Sequence, residues 1–222
     1  MVSQTFSQRS TLKLRFKARQ ADIVLVRPFA GALYKFTNLQ HLDLDLQWCC
    51  KLADDAFAAL ADGLAQLQAL ESIHLDLQRI GQVVPVKRRY RFAPDKMTDR
   101  TPMALAVAFK QCRRIRILDL NFYMCNQLTD AGVIKLSESI AELVNLQHLK
   151  LNFLGCRNLT EEATKGLAEA LIKLPVLEKV YVDVGGNRIK FSEMARFEQC
   201  VKGVLVGERC CSLSGAGNCA HD

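Results

Sequence analysis

The chain lacks most of the short signals that announce chemistry. Its 222 residues contain no CxxC pair, no HExxH, no GxSxG and no glycine-rich loop of the phosphate-cradling kind. These absences remove the zinc knuckle, the helical zinc-hydrolase site, the nucleophile elbow and the P-loop in turn, so no catalytic activity and no cofactor are expected. No apolar run approaches the roughly 18 residues that a membrane-spanning helix requires. The opening MVSQTFSQRSTLKLRF has no apolar h-region of a secretory signal, so the expected location is cytoplasmic, with the nucleus as the alternative. Nine cysteines are an odd number, and three of them recur at matching positions, which argues against a disulfide framework and for a reducing compartment. Without a secretory route the sequon Asn158-Leu159-Thr160 is expected to be inert.

What is present is an ordinary globular composition, 50% apolar and 24% charged, long enough for one domain with a substantial core. The net charge of +7 and the pI near 9.0 favour acidic partners, or nucleic acid at low salt. Charge of this size bears on steering and solubility and says nothing of fold.

Fold enters through an internal repeat, best seen in LQHLKLNFLGCRNLTEEATKGLAEALIKL, Leu146 to Leu174. The triplet Leu149, Leu151, Phe153 recurs 31 residues earlier as Leu118, Leu120, Phe122 and 31 later as Val180, Val182, Val184. Upstream it returns as Ile73, Leu75, Leu77, then Leu42, Leu44, Leu46, then Leu12, Leu14, Phe16. Apolar residues at i, i+2, i+4 mark a strand with one buried face. Each strand is followed by an i, i+4, i+7 apolar set on one helical face: Leu60, Leu64, Leu67; Leu136, Ile140, Leu143; Leu167, Leu171, Leu174. Phe29, Leu33, Phe36 and Leu105, Phe109, Cys112 fill the same slots, and Phe197, Val201, Val204 form a slipped sixth set. Thr129-Asp130 and Thr160-Glu161-Glu162 precede two of the helices, where a hydroxyl caps orphan amides and carboxylates suit the dipole. Between strand and helix a small polar or thiol side chain falls at Cys49, Cys125, Cys156 and Asn187, with Ile80 and Arg19 at the same place in other copies. These are expected to be unreactive structural rungs that bond the backbone of the neighbouring coil, each Cys followed by a plug at Leu52, Leu128 or Leu159.

The blocks LDLNFYMCNQLTDAG, Leu118 to Gly132, and LKLNFLGCRNLTEEA, Leu149 to Ala163, resemble the leucine-rich repeat family in its cysteine-containing and ribonuclease-inhibitor-like classes. The likeness runs from about residue 12 to 205. The period of 31 is longer than the family's usual one, Arg19 departs from its Cys or Asn, and the sixth helix is weak. The resemblance implies an α/β leucine-rich-repeat solenoid, a horseshoe of about six repeats with a parallel sheet on the concave face and helices on the convex face. Residues 1–205 would form one domain, with an insertion in the third repeat at about 81–100, and 206–222 a flexible tail; the Gly-, Ser- and Cys-rich stretch from Gly203 on is expected to fray after one last strand at Val204–Val206. It also implies a protein-interaction module; some ribonuclease-inhibitor-like proteins regulate nucleases or small GTPases.

In such a solenoid the residues between the buried ones project into the concave groove. One column is Lys13, Asp43, His74, Asp119, Lys150, Tyr181, and a second is Arg15, Asp45, Asp76, Asn121, Asn152, Asp183. A third runs through Lys17, Gln47, Gln78, Tyr123, Leu154 and Gly185. The concave partner-binding set expected from these columns is Asp43, Asp45, His74, Asp76, Asp119, Asn121, Tyr123, Asn152, Tyr181 and Asp183, with the two tyrosines as hot spots. An open sheet leaves its carboxylates equally solvated, which does not separate an acid from a base. The insertion carries Lys87, Arg88, Arg89, Tyr90, Arg91 and Phe92, followed by Lys96 and Arg100. Cations interleaved with rings suit protein docking on one rim, or single-stranded RNA as the alternative. Arg113, Arg114 and Arg116 lie before the fourth strand, at the other edge. Cys200, Cys210, Cys211, Cys219 and His221 have no zinc-knuckle spacing, so no metal site is expected there.

Overall fold

The protein is described from a computed structural model, which covers residues 10–15, 23–47, 49, 52–80, 97–187, 189 and 211–212. Strands β1 (Thr11–Arg15), β2 (His41–Asp45), β3 (Ser72–Asp76), β4 (Ile117–Asn121), β5 (His148–Asn152) and β6 (Lys179–Asp183) alternate with helices. These are α1 (Ile23–Ala32, continued by a 3-10 turn at Leu33–Lys35), α2 (Asp54–Leu64), α3 (Arg100–Gln111), α4 (Asp130–Ile140) and α5 (Glu161–Ile172). A two-residue strand, β7 (Cys211–Ser212), follows at the sheet edge.

All pairings are parallel and in chain order, and the register is the one the repeat predicts: Leu12, Leu42, Ile73, Leu118, Leu149 and Val180 lie side by side. Their side chains, with those two residues on, are buried against the helices in one continuous core; only Leu14 of β1 is partly open. Successive helices pack on one another, so they form a single layer on that face. Each buried leucine contributes about 1.5–3 kcal/mol of transfer free energy, and repetition at a fixed period lets neighbouring coils share it. The chain is thus an α/β protein with an all-parallel sheet and a solenoid-like repeat.

Several sequence expectations shift. In α1 the buried face is Val26, Ala30 and Leu33, and Phe29 is only half-buried, because it lies to the side of that stripe. Met97 is fully buried at the place of Leu52, Leu128 and Leu159, and Arg100 opens α3. The fourteen-residue excess therefore falls between Ile80 and Met97, and Arg100 belongs to the repeat and not to the insertion. The strand expected at Val204–Val206, the sixth helical set and the residues Phe16, Lys17 and Arg19 lie outside the described residues. The strand β7 pairs Cys211 with Val180 and Ser212 with Tyr181, 31 residues on in both cases.

Two further ladders join the coils. Asp54 accepts the Thr98 N–H at 2.9 Å, its hydroxyl at 2.6 Å and the Thr101 hydroxyl at 2.8 Å. One coil on, Asp99 accepts the Thr129 N–H at 2.8 Å and hydroxyl at 2.5 Å, and Asp130 accepts the same pair from Thr160 at 2.8 and 2.7 Å. Thr160 also caps its own helix by accepting from the Glu162 N–H, as expected. Thr129 makes no such cap, and its hydroxyl donates to the charge of Asp99. Gly132 is required beside this carboxylate, since a Cβ there would stand 2.4 Å from Asp99 Oδ1.

The second ladder lies just past the strands, where the coils of β3 to β6 turn through a left-handed residue: Arg79 (φ 54°), Met124 (57°), Gly155 (75°) and Gly186 (68°). The N–H groups of Arg79, Met124 and Gly155 donate to the carbonyls of Tyr123, Leu154 and Gly185 in the next coil. These bonds hold a conformation that costs an L-residue about 1–2 kcal/mol. Gly155→Ala is expected to lower stability by about 1–2 kcal/mol, because its Cβ would also meet Met124 Cγ at 3.2 Å. Urea denaturation checks this, and an unchanged midpoint would remove the strain argument.

Candidate functional site

Among the described residues nothing covers the face of the sheet away from the helices. Its residues are partly or fully exposed in every strand except Asp45 and Asp183, so no described element lies across it. This is unusual for parallel strands, which ordinarily have both faces covered.

The second column is committed to the backbone. Asp45 Oδ1, Asp76 Oδ1, Asn121 Oδ1, Asn152 Oδ1 and Asp183 Oδ1 each accept the N–H two residues on, at 2.9–3.3 Å. These Asx turns end the strands. The second oxygens of Asp45 and Asp76 are taken within their own coils, by Gln47 Nε2 at 3.0 Å and Gln78 Nε2 at 3.2 Å, and Gln78 Nε2 also reaches across to Gln47 Oε1 at 2.9 Å. Asn121 Nδ2 donates to Asp76 Oδ1 at 3.1 Å, and Arg15 pairs with Asp45 at 2.5 Å. Burial pushes the Asp76 carboxyl above its usual range, partly offset by the Gln78 N–H. Asp45, Asp76, Asn121, Asn152 and Asp183 are therefore structural first, whatever else meets them.

The first column alternates in sign across the sheet. Lys13 pairs with Asp43 at 2.6 Å, His74 Nδ1 donates to Asp119 Oδ2 at 3.0 Å, and Lys150 reaches the same Asp119 oxygen at 3.2 Å. Exposed pairs of this kind contribute about 0–1 kcal/mol each, so they order the face more than they stabilise it. The Asp119 hydrogen bond raises His74 above the ordinary imidazole value; partial burial opposes it, and the charges of Asp119, Asp43 and Asp76 add to it. For Asp119 burial pushes upward, but the bond and charge of His74 together with Lys150 outweigh it, leaving the carboxyl below its usual range.

A raised histidine contributes stability that is fully present below its unfolded value near 6.5 and is lost as pH rises through its folded value. His74→Gln is accordingly expected to cost more at pH about 6 than at pH about 8.5. Urea midpoints of the two proteins at both pH values measure this, and an equal gap would contradict it.

Towards the strand starts the character changes. The first strand residues form a column that counting from the buried positions passes over: Thr11, His41, Ser72, Ile117, His148, Lys179. Over β4 to β6 its members Ile117, His148 and Lys179 join Asp119, Lys150 and Tyr181 around an open groove of about 330 Å³. Ile117 is 39% exposed there. Tyr181 is half-buried, its hydroxyl 3.4 Å from Asp183 Oδ2, and His148 Nε2 stands 3.8 Å from Glu178. Tyr123 is held differently, its ring under the Arg79 guanidinium at 5.0 Å and its hydroxyl accepting from Arg79 at 3.2 Å.

The rung residues lie inside the coils. Cys125 Sγ donates to the Leu77 carbonyl at 3.4 Å, Cys156 Sγ to that of Phe122 at 3.1 Å, and Asn187 Nδ2 to that of Phe153 at 3.1 Å. Cys49 is equally buried, and Ile80 replaces the bond with packing. A fourth thiol, Cys112, bonds the Leu64 carbonyl, and burial raises it to about 11. These four buried cysteines are free. Asn158, of the sequon, donates to the Asn126 carbonyl at 2.7 Å. The insertion residues Lys87, Arg88, Arg89, Tyr90, Arg91, Phe92 and Lys96, and Cys200, Cys210, Cys219 and His221, lie outside the described residues. Among the described residues no three His, Cys, Asp or Glu side chains converge as a metal site would need. No described helix is long and apolar enough to cross a membrane.

No family model and no curated protein matches the sequence. Among solved structures the chain is similar to leiomodin-1 actin-binding site 2, at 14% identity and a TM-score of 0.50, covering 79% of this chain and 84% of that one. A Bacteroides fragilis protein is matched at 9% identity and a TM-score of 0.32, covering 90% of this chain and 67% of that one. The likeness to leiomodin-1 is one of fold.

Proposed function

We propose that the chain is a non-catalytic protein-binding repeat scaffold, a leucine-rich-repeat horseshoe of about six repeats whose concave face is the open face of the sheet. The partner lies against that face, and the basic insertion residues Lys87 to Phe92 clamp one rim. The observation that carries this reading is a parallel-sheet face that no described element covers, lined with polar and charged side chains. The leiomodin-1 structure of similar fold is described as an actin-binding site, which supports protein binding by such a scaffold and supplies no partner for this chain. Four buried free thiols suit a reducing compartment, and we place the protein in the cytoplasm or nucleus.

Affinity capture from native lysate tests the reading, with and without nuclease. The variants are a face pair Lys150→Glu with Tyr181→Ala, a loop set with the basic residues of 87–91 replaced by serine, and the helix-layer control Lys135→Glu. Partners retained by the control, lost with the face pair and indifferent to nuclease are the expected result. Partners that disappear on nuclease treatment would make the chain an RNA-binding adaptor instead.

A further inference from the structure

We propose that the groove over the starts of β4 to β6 binds a short acidic peptide segment, seating an apolar side chain of the peptide on Ile117 and its carboxylates on Lys179 and Lys150. This rests on the scaffold reading and assigns the chemistry of the partner.

The open face is not uniform. Over β1 to β3 no cation is left over among the described residues: Lys13 pairs with Asp43 and Arg15 with Asp45, while Asp76 is met by Gln78 and Asn121. Around the groove at the starts of β4 to β6 the cations are in excess, because Asp183 is bound to the Gly185 N–H at the far end of its strand. Asp119 is shared between His74 and Lys150, and among the described residues Lys179 makes no ion pair. Arg116, exposed one residue before Ile117, adds a further cation at the same end of the strands. A ligand bringing negative charge gains here and would meet unbalanced repulsion nowhere but at Asp119 and Glu178.

The shape selects the rest. A volume of about 330 Å³ holds one or two side chains and no larger body, at the lower limit of ordinary ligand sites. Ile117 offers hydrocarbon at its edge and Tyr181 an aromatic face, the residue type that carries energy at protein interfaces. A nucleic-acid strand fits less well: it carries a charge at every residue and cannot step over Asp119 as a peptide with spaced carboxylates can, and among the described residues the rings lining the groove are Tyr181 and the His148 imidazole, short of the series that stacking bases need.

The test is fluorescence anisotropy on the full chain at low salt. The probe is a labelled short peptide of alternating glutamate and phenylalanine, compared with its glutamine counterpart and with oligouridylate of similar length. The acidic peptide is expected to bind, and to bind about tenfold more weakly to Lys179→Glu, the effect of reversing one close charge pair in screened solvent. Ile117→Ser is expected to weaken it as well, Lys135→Glu to leave it unchanged, and added salt to weaken it steadily. Failure of the peptide to bind, equal affinity for all variants, tighter binding of oligouridylate, or self-association blocked by Lys179→Glu would each overturn the proposal. Equal thermal midpoints confirm that these exposed substitutions leave the fold intact. If the peptide fails while the face pair still abolishes capture, the groove assignment falls and the scaffold reading stands; if neither responds, both fall.

Discussion

Phe153→Ala is expected to lower the unfolding free energy by about 3–5 kcal/mol, the range for truncating a fully buried aromatic side chain. Phe153 follows β5 immediately, is fully buried, and stacks on Phe122 of the preceding coil with ring centroids 5.3 Å apart and planes within 4°. The equivalent positions in the flanking coils are Leu77 and Val184, both buried, so the two rings fill the middle of a continuous column. Removing one ring leaves a void bounded by repeating elements whose spacing is pinned by the strand register, and the site cannot collapse to fill it. Phe153→Leu keeps most of the volume and is expected to cost less than about 1.5 kcal/mol. Urea denaturation of both variants, with Phe122→Leu completing a cycle, measures the stacking; a loss of under about 1 kcal/mol for the alanine variant would show that the coils can close up.

Asp99→Ala is the second, with an expected loss of about 2–3 kcal/mol and a midpoint lowered by about 5–10 °C. The carboxylate takes both the N–H and the hydroxyl of Thr129, each a hydrogen bond to charge, and the substitution leaves both donors facing a methyl group at the joint between α3 and α4. Asn would retain the acceptor and should recover part of the loss. Asp99→Ala combined with Thr129→Val should cost less than the sum of the separate changes, since the second removes the hydroxyl that the first orphans. Strict additivity would show that the ladder is an incidental contact.

The fold was readable because its period is carried by apolar residues, whose positions depend only on which way the backbone faces. Leu12, Leu42, Ile73, Leu118, Leu149 and Val180 could be aligned by spacing alone, and the same count set the register of both outward columns. What could not be read was where polar side chains direct their atoms. Thr98, Thr129 and Thr160 also recur every 31 residues, as do Asp99 and Asp130, so the ladder was present as a pattern. Local capping rules assign such a threonine to its own helix, which Thr160 does cap, and say nothing of the carboxylate on the previous coil to which Thr129 and Thr160 both donate.

The same limit governs the outward face. Asp45, Asp76, Asn121, Asn152 and Asp183 look like a row of anchors offered to a partner, and turn chemistry at a strand end claims an oxygen of each. The repeated Asp or Asn two residues before each turn was the available signal. Ile117, His148 and Lys179 were missed for a simpler reason: alternation counted inward from the first buried residue leaves out the outward residue before it. Tyr181 was placed correctly by the period, and its neighbours across the strand starts became visible only in the assembled sheet.

The partner is expected to meet the open face of the sheet and not the helix layer, and the two faces each carry a tyrosine that reports on this. Tyr181 faces the groove over β4 to β6, and Tyr34, 58% exposed, stands on the helix side beside α1 and α2. Hydroxyl-radical footprinting of the chain alone and in its captured complex compares the oxidation of the two rings directly. Protection of Tyr181 with Tyr34 unchanged is the predicted result; protection of Tyr34 with Tyr181 still oxidised at its free rate would contradict it.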